Sequence, residues 1–379
     1  MNPLEKIMMG DSPKIKAISD HLPEHEVQIL YTRIERDEND NPSFQEFSFQ
    51  LNENQYFYPA STAKMPVAIL ALQRINELRA EGININENSN FIISEPETNE
   101  AIINADSTAE NGLASISHMI KKIFLVSDND AYNYLFDFLG RDYINEQLRI
   151  RGMQPAHLNH KFLYGANNKH TWDFKFYDEN EGLVYEQKSI SSKVDKHNFP
   201  LIGMKKGIGF TDDKGNLFEE PFDFSEKNYF SLKSLNKILK GVIFPESLAK
   251  SEQFNLTEDQ YQFLRFWMSR NTLESQYPNY DYENYYESYV KFLMFGDDQS
   301  PMPDNIRIYN KVGEAYGTLT DVAYIVDSKT GIEFMLAATI QVNKNEIFND
   351  GIYEYDELGF PFMAELGKQV YQYELSELP

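Results

Sequence analysis

The stretch "YFYPASTAKMPVAIL", Tyr56–Leu70, is where strand-like sequence gives way to an apolar helix. Ser61 stands three positions before Lys64. On a helix, residues i and i+3 share a face, so the amine can reach the hydroxyl. A serine hydroxyl is a weak nucleophile at neutral pH and needs a base that close. Lysine serves as that base only if desolvation or a second cation lowers its pKa. A helix start also offers unpaired N–H groups to an oxyanion. Pro66 falls early in the helix, where a missing N–H costs little. On the tetrad alone a capping or first-turn serine is the better reading, and S-x-x-K recurs at Ser234, Ser247 and Ser288.

Upstream, residues 3–22 read as a short amphipathic helix. "HEVQILYTRI" (25–34) and "SFQEFSFQL" (43–51) alternate around the turn cluster "ENDNP", which predicts a hairpin. Downstream, "PVAILALQRINELRAEG" predicts a helix with Gly82 as C-cap. Helical patterns follow at 115–127, 130–152, 232–244 and 257–270. Strand patterns return at 305–313, 318–327 and 332–342, and 352–375 predicts a closing helix interrupted near Pro361. Strands at both ends with a mainly helical middle suggest an antiparallel sheet built from both termini, with an all-α lobe inserted. Residues 165–230 read as irregular structure with hairpins. The Tyr-rich run at 277–289 reads as a packed surface loop.

The chain has 379 residues, 41% hydrophobic and 25% charged, with a net charge of −24. That length and composition allow a large core or two lobes. Such an acidic surface repels phosphate backbones and anionic lipid, which argues against nucleic-acid and membrane-surface partners. There is no cysteine, so disulfides, thiol catalysis and Cys-ligated zinc are excluded. His157 and His160 lack an accompanying carboxylate motif and read as structural or surface residues, so no metal is expected. No organic cofactor is implied either. No apolar run approaches the roughly 18 residues that span a bilayer. The first residues carry no apolar leader segment.

Two further motifs change the weight of Ser61. "LVSDNDAYNYLF" places Ser127-Asp128-Asn129 between two helical segments, the one S-D-N in the chain. "IYNKVGEAYGTLTDVAYIV" places Lys311-Val312-Gly313 on a terminal strand, where glycine permits close backbone approach by a ligand. A literal Lys-Thr-Gly at 329–331 lies between two strong strand patterns and reads as a hairpin tip.

In this order and context, Ser61-x-x-Lys64, Ser127-Asp128-Asn129 and Lys311-x-Gly313 resemble the three-motif signature of penicillin-recognising serine hydrolases, closest to class A β-lactamases. The resemblance implies an α/β (α+β) β-lactamase/transpeptidase-like fold. The sheet lobe is expected from 1–60 and 300–379. The mainly helical lobe is expected from 61–299, with an atypical insertion at about 165–230. It implies that Ser61 is acylated, that Lys64 takes its proton, and that Ser127 relays a proton to the leaving nitrogen. Asn129 would position Lys64 and a substrate amide, and Lys311 would anchor a carboxylate. The N–H groups of Ser61 and Glu314, beside Gly313, would form the oxyanion hole. The implied substrates are β-lactams or peptidoglycan-like amides, which suits an exported protein, periplasmic or cell-surface.

Three departures keep other outcomes open. The stretch 151–173, where class A enzymes carry a deacylating glutamate, has no Glu, and its one carboxylate is Asp173. Pro155 stands where the acid is expected. Val312 replaces a hydroxyl-bearing residue. Ser127 and Lys311 lie 184 positions apart, farther than is usual in that family. A slowly deacylating penicillin-binding or DD-peptidase-like protein, an esterase, or an inactive binding module on the same scaffold are the alternatives.

Overall fold

The computed structural model describes residues 2–194 and 199–378. In chain order the elements are β1 (Gln28–Arg36), β2 (Pro42–Phe49), a 3-10 turn (Ala60–Ala63) and α1 (Lys64–Ala80). Then come β3 (Asn90–Ser94), β4 (Ala101–Ile103), α2 (Ile116–Val126), α3 (Asn129–Leu139) and α4 (Arg141–Ile150). β5 (Asp173–Tyr177), β6 (Leu183–Gln187), α5 (Leu232–Ile243) and α6 (Glu258–Ser269) follow. β7 (Ile306–Ala315), β8 (Thr318–Asp327), β9 (Glu333–Gln341) and α7 (Phe360–Ser376) close the chain. No helix among the described residues is long and apolar enough to cross a membrane.

The chain forms two compact units. The first comprises Met1–Ala63, Asn198–Leu239 and Tyr286–Pro379. Its antiparallel sheet runs β7-β8-β9-β1-β2, so strands from both chain ends meet where β9 pairs with β1. Ile29, Tyr31, Ile308, Ala323, Leu336 and Ala338 bury against Phe362, Leu366 and Val370 of α7 in one core. β8 and β9 are buried almost throughout, so neither shows an apolar–polar alternation, whereas β2 alternates. Pro361 sits in the first turn of α7. A π-helical turn, Tyr355–Gly359, runs directly into α7, so the expected closing helix changes its hydrogen-bond pattern next to Pro361, whose missing N–H costs little in a first turn. The expected N-terminal helix is broken instead into Pro3–Met8, Pro13–Ser19 and Leu22–His25, each with proline at its start. Residues 199–239, expected within the helical lobe, belong to this unit.

The second unit comprises Lys64–His197 and Lys240–Tyr285. Its central helix α1 is buried from Lys64 through Gln73 on every side, so its helical period is hidden in a continuous apolar run. Gly82 follows it at φ +91°, as the C-cap reading requires. α2 begins at Ser115, whose Oγ accepts the His118 N–H at 3.3 Å. The helix expected at 130–152 divides at Gly140, whose φ of +75° breaks the turn. Besides its helices the unit carries an antiparallel sheet, β4-β3-β5-β6. Part of that sheet is the hairpin 173–187, which falls in the stretch expected to be irregular structure with hairpins.

Candidate active site

The site motifs divide between the two units. In the first unit, the chain enters the 3-10 turn through Ala60 at φ +45°, an uncommon conformation for a residue with a Cβ. Thr62 donates both its N–H (3.1 Å) and its hydroxyl (2.6 Å) to the Pro59 carbonyl. Ser61 is half-buried, and among the described residues its hydroxyl makes no hydrogen bond. The capping reading of Ser61 therefore lacks its defining bond.

Strand β7 lies directly on this turn. A Cβ on Gly313 would stand 2.4 Å from the Pro59 carbonyl oxygen and 3.1 Å from the amide nitrogens of Ser61 and Thr62. Only glycine lets the strand come so close. β7 is an edge strand, so alternate backbone N–H groups along it have no ladder partner on the outer side. Glu314 follows Gly313 with its side chain exposed, and Val312 is buried. Lys311 is buried too, and its ammonium donates to the Val312 carbonyl at 2.9 Å.

Beneath this strand lies a polar network that the sequence motifs did not reveal. Asp321 stands opposite Val312 in the β7–β8 register and is fully buried. Its carboxylate accepts from Asn310 Nδ2 (2.8 Å) and from the Leu293 N–H (3.1 Å). Lys291 in turn donates to Asn310 Oδ1 (2.7 Å) and the Ile308 carbonyl (2.9 Å). Burial pushes the Asp321 carboxyl up to about 6, against the pull of these donors and of Lys291 and Lys311. Lys291 belongs to the Ser288 tetrad, so that S-x-x-K serves the core. Ser247 donates its hydroxyl to the Phe244 carbonyl, again a local role. Lys329-Thr330-Gly331 forms the β8–β9 tip, where Asp327 accepts from the Lys329 N–H and the Thr330 hydroxyl, both at 2.8 Å.

In the second unit, Lys64 opens α1 and is completely buried. Its ammonium donates to the Ser127 carbonyl, to Asn129 Oδ1 at 2.6 Å and to Ser127 Oγ at 3.3 Å. Ser127 can be met from both its carbonyl and hydroxyl because it ends α2 in the left-handed conformation, φ +59°. Asp128 then caps α3, accepting the Ala131 N–H at 2.8 Å. The S-D-N triplet is thus helix stop, helix start and lysine holder at once. Burial brings the Lys64 amine down to about 7, with Asp128 and Asp130 opposing that fall. Lys122 pairs with Asp106 (3.1 Å) and lies 3.7 Å from Asp128, which ties the triplet to the loop before α2.

The stretch 151–173 is also accounted for. Asn145 of α4 pairs with Leu158 through both the N–H and the carbonyl, and Arg141 donates to Asn159 Oδ1 at 2.7 Å. Lys161 and Asp137 form a buried pair at 2.8 Å. Asp173 accepts from the Ser189 N–H (2.7 Å) and Lys188 (3.1 Å), so this carboxylate pins the β5–β6 hairpin.

The structure therefore gathers Lys64, Ser127 and Asn129 in one unit, and Ser61, Lys311, Gly313 and Glu314 in the other. Lys64 follows the Ser61 turn without a break in the chain. The profile of the Beta-lactamase enzyme family matches residues 12–373. The chain belongs to that family and is a serine hydrolase of it. None of the curated proteins matches it. Among solved structures it is similar to PBP-A, at 15% identity and TM-score 0.55, over 100% of this chain and 97% of that one. A mutant of PBP-A in acyl-enzyme complex with penicillin G matches at 14% identity and TM-score 0.54, over 100% and 97%. A β-lactamase from Sphaerobacter thermophilus matches at 12% identity and TM-score 0.49, over 100% and 98%. The likeness to PBP-A is one of fold.

Proposed function

We propose that the protein opens β-lactams or related amides through an acyl-Ser61 intermediate. The observation that carries this reading is the buried Lys64 amine, near neutral in its titration and held by Ser127 and Asn129. Once neutral, the amine keeps two donors for the Ser127 carbonyl and Asn129 Oδ1. Its lone pair then has only the Ser127 hydroxyl, or an incoming serine proton, to accept from.

In this reading Ser61 Oγ attacks the carbonyl carbon and its proton passes to Lys64 Nζ. The N–H groups of Ser61 and Glu314 hold the oxyanion. Ser127 delivers a proton to the departing nitrogen and takes one from Lys64. The C–N bond breaks and an ester on Ser61 remains. Water then converts the ester to a carboxylic acid and restores the hydroxyl. Lys311 anchors a substrate carboxylate, and Asn129 orients a substrate amide. A peptidoglycan-like amide as natural substrate fits an exported location.

A second reading, slow release of the acyl group as in a penicillin-binding or DD-peptidase-like protein or an esterase, is favoured by Asp173 being committed to Ser189 and Lys188. An inactive binding module is disfavoured by the depressed Lys64. Turnover of a chromogenic cephalosporin by wild type and Ser61→Ala tests the proposal: Ser61→Ala is expected to be silent, and equal rates would remove Ser61 from the mechanism.

A further inference from the structure

Beside the Lys64 amine stands a ring that none of the three motifs contains. The Phe162 centroid lies 5.0 Å from Lys64 Nζ. Two successive residues of α3 hold it there. Asn133 Oδ1 accepts the Phe162 N–H at 2.8 Å, and Asn133 Nδ2 donates back to the Phe162 carbonyl at 3.4 Å. The Tyr132 ring meets the Phe162 ring at 4.8 Å, and the Tyr132 hydroxyl donates to the His160 carbonyl at 3.1 Å. Asn133 is almost wholly buried, and a buried amide paired through both ends fixes the backbone it grips. An amine nitrogen has three directions for hydrogen bonds besides its carbon. Ser127 and Asn129 occupy them on Lys64. Phe162, itself half-buried, adds an apolar wall beside them.

We propose that Phe162 is a positioning residue for Lys64: clamped by Asn133 and Tyr132, it keeps water off the amine and slows hydrolysis of the acyl-serine. The inference rests on reading Ser61 as the acylated residue. Release requires a water oxygen to add to the ester carbonyl carbon while a base takes the water proton. The tetrahedral adduct then expels Ser61 Oγ, which regains a proton, leaving a free carboxylic acid. Acylation needs only the serine O–H and no water. An apolar cover on the shared base therefore spares the first half-reaction and retards the second.

The test is quenched-flow intact mass spectrometry with a penicillin, resolving adduct formation and loss in wild type, Phe162→Ala, Phe162→Leu and Asn133→Ala. Phe162→Ala is expected to shed the adduct at least tenfold faster, a change larger than any change in the rate of forming it. Asn133→Ala, which frees the segment, shifts release in the same direction. Phe162→Leu keeps an apolar cover and stays within threefold on both steps. Adduct lifetimes unchanged in Phe162→Ala would overturn the inference and leave the Ser61 reading intact. A Leu variant that releases as fast as Ala would also overturn it, because general loosening then explains both. No adduct on wild-type Ser61 would overturn the Ser61 reading and this inference with it.

Discussion

Lys64 Nζ donates to Asn129 Oδ1 at 2.6 Å, which joins the first turn of α1 to the first turn of α3. The bond orients an amine that burial has brought down to about 7. Replacing Asn129 with Ala removes one acceptor and leaves the amine held by Ser127 alone. Acylation by a penicillin is expected to fall by about 100-fold, the scale of a lost general base. Stopped-flow acylation rates check this, with thermal melting as the control for folding.

The acylation rate should depend on pH through Lys64. The neutral amine is the active form, so the rate rises as pH increases through about 7 and levels above it. Asp128 and Asp130 are the charges that hold the pKa up. Asp130→Asn is expected to move the midpoint to lower pH. A pH–rate profile of single-turnover acylation measures both, and a midpoint in the ordinary lysine range would contradict the account.

Gly313→Ala places a Cβ against a backbone carbonyl that cannot turn aside. The expected cost is about 1–3 kcal/mol of stability, the range for overpacking a tight contact. Urea unfolding measures it. Acylation should fall as well, because the strain bears on the Ser61 amide.

Val312→Thr supplies a hydroxyl on the strand that carries Lys311. One added hydrogen bond of about 1 kcal/mol lowers KM roughly fivefold for penicillins with a free carboxylate. Their carboxylate esters should show no gain. Steady-state kinetics on the acid and ester pair separate the two.

Asp321 gives a stability signature. Its folded pKa, about 6, lies above the ordinary carboxylate value. The folded state therefore binds more protons between about 4 and 6, and this group's contribution falls as pH rises across that window. Asp321→Asn removes that titration. The difference in unfolding free energy between wild type and Asp321→Asn should change across pH 4–6 and stay flat above it.

The sheet was legible because its strands are rich in β-branched and aromatic residues between turn signals: β1 and β2 flank a turn cluster, β7 and β8 carry their polar residues among such residues, and β9 is a nearly continuous apolar run. The break of α3 from α4 was hidden, since Gly140 interrupts a sequence that is apolar-periodic on both sides. Hairpins were expected within 165–230, but the bounds of the one formed by β5 and β6 were hidden because its turn rests on Asp178 side-chain bonds, which periodicity does not report. At the site, Lys64, Ser127 and Asn129 were legible as motifs. Phe162 was not, because a lone aromatic in a loop carries no spacing. Asn133 offered a faint signal, standing four residues after Asn129 on the same helical face.

The central claim is that Ser61 becomes acylated. Intact-mass measurement after exposure to a penicillin, followed by peptide mapping, tests it most directly. The account predicts one adduct of the intact penicillin's mass on the peptide carrying Ser61, absent from Ser61→Ala. The same adduct on Ser61→Ala, or label on another residue of the wild type, would contradict it.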